Sequence, residues 1–138
     1  MAALTASRDV PHYPDQELRE YAVEAAKKIY RGGFLGFSAD GHAQPLIAID
    51  NKFAGIAYEE VDNLAGADAA KKVRAYTMGD FQHALAGATK ANIRAAVYAT
   101  DDGTLTLTST SNTYVGFIVD VPVAGEIILR LDVGRTAP

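Results

Sequence analysis

The sequence predicts an all-β domain, or a β-rich one with one short helix, built as a small antiparallel barrel or sandwich behind an extended N-terminal arm. Three observations carry that expectation. From Ala96 to Leu131, β-branched and aromatic residues run in short blocks, separated by turn signals at Asp101-Asp102-Gly103, Ser111-Asn112-Thr113 and Ala124-Gly125. Roughly eight to ten such blocks follow one another along the chain, at the spacing of barrels and sandwiches. The chain is 138 residues long, 49% hydrophobic and 22% charged, which suits one globular core over a disordered chain.

Residues 1–15 read as the arm. Pro11 and Pro14 bar this stretch from a helix interior or a central strand, and its apolar residues Leu4, Val10 and Tyr13 are too sparse to form a core. An arm of this kind becomes ordered by lying along a partner. Leu4, Val10, Pro11, Tyr13 and Pro14 are therefore the expected contacts with a partner or a neighbouring subunit. Residues 16–138 form the expected single β-rich domain.

Gln16–Gly33 supports two readings. Leu18, Tyr21, Ala22, Ala25, Ala26, Ile29 and Tyr30 recur at helical spacing, with Asp15 as a cap and Gly32-Gly33 as a stop. In the competing reading, Glu20–Glu24 is a short strand with Tyr21 and Val23 on one face. Beyond it, Gly33–Ser38 reads as a strand ending in the turn Ala39-Asp40-Gly41. After Pro45 comes an apolar block, Leu46–Ile49, and then a turn at Asp50-Asn51. Phe53–Tyr58 is the next strand, followed by the acidic run Glu59–Asn63 and the small-residue loop Leu64–Ala70. Gly36 and Gly55 lie inside strand patterns, where glycine marks a close approach by a neighbour. Lys71–Tyr76 alternates as a half-solvated strand, and Met78–Phe81 turns into a short one. Asn92–Ala95 suggests one helical turn before the strands Ala96–Thr100 and Thr104–Thr108. Tyr114–Val121 and Glu126–Val133 form the last hairpin, joined by Pro122–Gly125.

Composition excludes several functions. There is no cysteine, hence no disulfide framework, thiolate nucleophile or cysteine-based zinc site. A net charge of −4 and a pI near 5.3 repel phosphate backbones, so nucleic acid is not an expected partner. No window reaches the roughly 20 apolar residues of a membrane helix, and the N-terminus has no basic or apolar leader pattern, so no membrane partner is expected either.

Candidate chemistry is sparse. Ser38, Asp40 and His42 are the residue types of a hydrolase triad, yet such triads are assembled from distant segments, and a surface turn accounts for these three. His12, His42 and His83 lack metal-ligand spacing. Glu59, Glu60 and Asp62 with Asp101-Asp102 could form a carboxylate cluster, but read better as solvated loop charges. Gly32–Gly36 precedes a strand and lacks the lysine of a phosphate loop. Lys27, Lys28 and Arg31 form the one basic cluster, read as a solvated face. The sequence therefore assigns no catalytic residue, no cofactor and no metal.

Two stretches resemble a known family. EYAVEAAKKIYRGGFLGFSADGHAQP, Glu20 to Pro45, is similar to the opening of small tailed-phage head-decoration (capsid cement) proteins: a short strand, an alanine-rich link, an Ile-Tyr-x-Gly turn, an apolar strand and an Asp-Gly turn. GIAYEEVDNLAGADAAKKVRAY, Gly55 to Tyr76, resembles their second signature, in which a Gly-x-Ala strand leads into Glu and Val-Asp-Asn, then a Gly-Ala-rich loop and a basic strand. AAVYATDDGTLTLT, VGFIVDV and EIILRLDV look like their closing sheet. The resemblance implies a non-enzymatic virion protein, made in the host cytoplasm. It would bind the major capsid protein on the outside of the bacteriophage head, as a homotrimer at three-fold and quasi-three-fold positions. Members usually carry proline or glycine in the segment matching Ala22–Lys28, where this chain has neither. With the resemblance, the strand-and-turn reading is taken for Gln16–Gly33. The alternative function is a β-barrel adaptor or small-ligand-binding module unrelated to capsids.

Overall fold

The computed structural model describes residues 5–7, 17–47 and 52–135. Twelve strands and one short 3-10 turn, Lys90–Asn92, make up its regular structure. The first sheet is five-stranded, in the order β1 (Leu18–Ala22), β7 (Lys72–Tyr76), β5 (Lys52–Ala57), β3 (Phe34–Phe37), β4 (Ala43–Pro45). The second is also five-stranded: β10 (Leu105–Thr106), β9 (Ala96–Ala99), β11 (Thr113–Val123), β12 (Glu126–Leu131), β8 (Asp80–Ala84). A two-stranded ribbon pairs β2 (Lys27–Ile29) with β6 (Val61–Asn63). Every strand pairing is antiparallel, and the sheets do not close into a barrel, so the expected all-β fold takes the sandwich form.

Side-chain alternation in the first sheet produces two cores. Phe34, Phe53 and Ile56 face the second sheet, where they join Val97, Leu105, Val115, Ile118, Ile127 and Leu129. Leu35, Ala54, Ala57, Val73 and Ala75 point to the opposite side and pack with Val23, Ile29, Ala43 and Val61. The ribbon covers this second core because Ile29 and Val61 sit opposite each other and are both buried. The first sheet is thus buried on both faces, which accounts for the apolar run in β3 and the small residues of β5.

From Glu17 to Gly33 the chain has no helix: the expected short strand is present as β1, two residues earlier than Glu20–Glu24, and a second strand, β2, follows that the sequence reading did not anticipate. Tyr21 packs edge-on against Phe37, with ring centroids 4.9 Å apart. Val23 is fully buried and forms an isolated parallel bridge with Ala43. Ala26 takes φ 58 in the link between β1 and β2, the left-handed conformation that glycine adopts most easily.

Other expectations shift in detail. The acidic run contains β6, which the sequence reading missed. The helical turn expected at Asn92–Ala95 is the 3-10 turn Lys90–Asn92, and Pro122 lies within β11 and not in the hairpin connection. Leu46 is buried as core, whereas Ala48–Asn51 lies outside the described residues.

Candidate functional site

Among the described residues, three side chains able to ligate a metal come together from separate segments beside the second core. Glu24 follows β1, His42 precedes β4, and Asp68 lies in the loop between β6 and β7. Each offers one donor atom, and these three atoms lie within 4.8 Å of one another. The His42 Nδ1 stands 3.6 Å from Glu24 Oε2, and both atoms are sealed from solvent with no hydrogen-bond partner.

Backbone contacts fix the three segments. The Glu24 amide donates to the Ala43 carbonyl at 2.9 Å, and the Ala69 amide to the Val23 carbonyl at 2.9 Å. The Ala25 amide donates to Asp68 Oδ1 at 2.8 Å. Beneath them Asn63, 1% exposed, donates through Nδ2 to the carbonyls of Glu24 and Ala67, at 3.0 and 3.1 Å. The Val-Asp-Asn motif thereby gains a physical role. Val61 is core, and Asp62 Oδ1 accepts the Leu64 amide at 3.1 Å while its carbonyl accepts from Lys71 at 2.6 Å; Asn63 ties the loop to the β1–β2 link.

The other sequence candidates are held by local structure. Ser38 Oγ accepts the His42 backbone amide at 3.2 Å while the His42 ring is turned toward Glu24, so Ser38, Asp40 and His42 do not assemble as a triad. His83 Nδ1 lies 2.8 Å from the Ala84 carbonyl, and its ring stacks at a tilt against Phe34. Glu59 is engaged by Arg74, whose guanidinium donates to both carboxylate oxygens at 2.9 and 3.1 Å and spreads over Tyr58. That hydrogen-bonded pairing holds the Glu59 carboxyl below its ordinary range. Asp101 Oδ1 accepts the Gly103 amide at 2.8 Å, closing the expected turn. The acidic residues grouped in the sequence therefore do not meet as one site. Lys27 and Arg31 are exposed, and Lys28 lies over the Tyr30 ring. Leu4, Val10, Pro11, Tyr13, Pro14 and His12 lie outside the described residues.

Sequence reasoning missed Glu24 and Asp68 as companions of His42. Their sole sequence signal is a polar residue beside buried ones in segments that also carry the family resemblance. No family model matches the chain, and neither a curated protein nor a solved structure is significantly similar to it.

Proposed function

We propose that this chain is a head-decoration protein of a tailed bacteriophage. It binds the outer surface formed by the major capsid protein, as a homotrimer at three-fold and quasi-three-fold positions, and holds neighbouring capsid subunits together. The role is structural and needs no cofactor. One observation carries the reading: the stretches that resemble decoration proteins divide by layer. Glu20–Pro45 and Gly55–Tyr76 together supply the strands of the first sheet and the ribbon, from within β1 to β7, and share the second core. The closing stretches supply β9 to β12, four adjacent strands of the second sheet.

The test is cosedimentation of the full chain with expanded heads assembled from the major capsid protein encoded in the same genome. Saturable pelleting with the heads is expected. A chain that stays in the supernatant at every concentration contradicts the proposal, and a concentration-independent monomer by light scattering would favour the adaptor.

A further inference from the structure

We propose that Glu24, His42 and Asp68 form a binding site for a first-row transition-metal dication of the zinc type. The proposal is independent of the capsid reading. Donor geometry comes first. Zinc takes nitrogen and oxygen ligands at about 2.0–2.2 Å, so two ligands of a tetrahedral site stand roughly 3.3–3.6 Å apart. The 3.6 Å between His42 Nδ1 and Glu24 Oε2 matches that separation and is too long for a hydrogen bond between them. Asp68, with its donor atom within 4.8 Å of the other two, lies on an exposed loop that needs only a small movement to close the set.

Burial supplies the second, independent observation. Glu24 Oε2 and His42 Nδ1 are both shielded from water, and beyond facing each other at 3.6 Å neither makes a hydrogen bond. Polar atoms shielded in this way normally have a partner, since leaving them without one is unfavourable. A dication between them satisfies both at once, which a single bridging proton at this distance does poorly.

The ligand chemistry selects the metal. Two carboxylates balance a divalent charge, and the imidazole nitrogen favours zinc or its neighbours over calcium and magnesium, which prefer all-oxygen sites. Three protein ligands leave a fourth position for water or a group from another molecule. The cradle is already held in place by the bridge of Val23 to Ala43, the Ala25–Asp68 hydrogen bond and the Asn63 side chain. Bound metal would tie together the β1–β2 link, the β3–β4 turn and the β6–β7 loop, and so fasten the ribbon over the second core.

The experiment is titration of the metal-stripped full chain with Zn²⁺ by calorimetry, alongside thermal melting and Co²⁺ absorption spectra. One Zn²⁺ per chain is expected, with a melting point that rises with Zn²⁺ concentration and falls back on adding EDTA. Co²⁺ should give the intense visible bands of a four-coordinate ion, and Ca²⁺ at the same concentration should leave melting unchanged. His42→Asn and Asp68→Asn should each weaken Zn²⁺ binding roughly tenfold or more. Asp68→Asn also guards against misfolding, because the side chain is exposed and its amide oxygen can still accept the Ala25 amide. A double variant, His12→Asn with His83→Asn, should bind as the natural chain does. The proposal is overturned by an absence of saturable Zn²⁺ binding, by His42→Asn and Asp68→Asn binding unchanged, by loss of binding in the His12/His83 variant, or by equal stabilisation with Ca²⁺.

Discussion

Tyr114 shows how a single buried hydroxyl sets a pH limit on the fold. It is buried on β11, where its hydroxyl donates to Asp132 Oδ2 at 2.8 Å and its ring packs edge-on against Tyr98. Burial first, then the hydrogen bond to the Asp132 carboxylate, push its pKa up to about 12 from the ordinary 10.0. The folded state therefore keeps this proton after the unfolded chain has lost it. Its contribution to stability is complete below about pH 10 and declines as pH rises toward 12. Denaturant melts between pH 9 and about 12 should show that decline, and Tyr114→Phe should flatten it, at roughly 1 kcal/mol lower stability near neutrality. An equally steep alkaline loss in the variant would assign the effect to another group. This partnership, like that of His42 with Glu24 and Asp68, could not be read from sequence. The partners belong to different segments, and only the pairing of strands and loops brings them together. Asp101-Asp102-Gly103, by contrast, was readable because its hydrogen bond closes within three residues.

Among the elements, the β1–β2 link and the bulge in β5 each depend on a single backbone position. Ala26 sits at φ 58, where a Cβ crowds the following carbonyl. Ala26→Gly should raise stability by about 0.5–1 kcal/mol in denaturant titration, the relief of that crowding exceeding glycine's greater unfolded-state freedom. A lower midpoint would mean that the link is not left-handed. In β5, Ala54 is the extra residue of a bulge: Leu35 pairs with Gly55, but Gly36 pairs with Phe53. The bulge lets Phe53 and Ile56, three residues apart, both face the main core. A Cβ at Gly55 would collide with the Tyr76 backbone carbonyl on β7, and Gly116 in β11 meets the Arg130 carbonyl in the same way. Gly55→Val should lower stability by about 1–3 kcal/mol, measured as a shift in the unfolding midpoint. The strands of the last hairpin were readable from alternation and turn residues. The β1–β2 region was harder, because its small and apolar residues match a helical period as well as a strand, and burial of Val23 and Ile29 by tertiary packing decides between them. β6 was hidden because an acidic run looks like loop until Val61 and Asn63 are seen to be its buried face.

For the whole molecule, the proposal assigns the fold to the sandwich and attachment to the arm. The fold class was readable because many short blocks with turn signals admit few other architectures. The three-layer arrangement was not, since nothing local says that the first sheet is covered on both faces. The described domain starts its pairing at Leu18, opposite Tyr76, and Glu17 accepts the Thr77 amide at 2.8 Å. Deleting residues 1–15 removes none of these bonds, so the melting temperature should stay within a few degrees. Binding to heads should fall at least tenfold, because each of three arms per trimer would lose its contacts on the neighbouring surface. Equal binding by the truncated and full chains would take the arm out of attachment. On the proposed function, the bound protein strengthens the capsid. The most direct measurement is the temperature at which DNA-filled heads lacking their decoration protein release DNA, recorded with and without saturating amounts of this chain. A higher release temperature that levels off once the three-fold positions are filled is expected. An unchanged release temperature on heads that demonstrably carry the bound chain would contradict it.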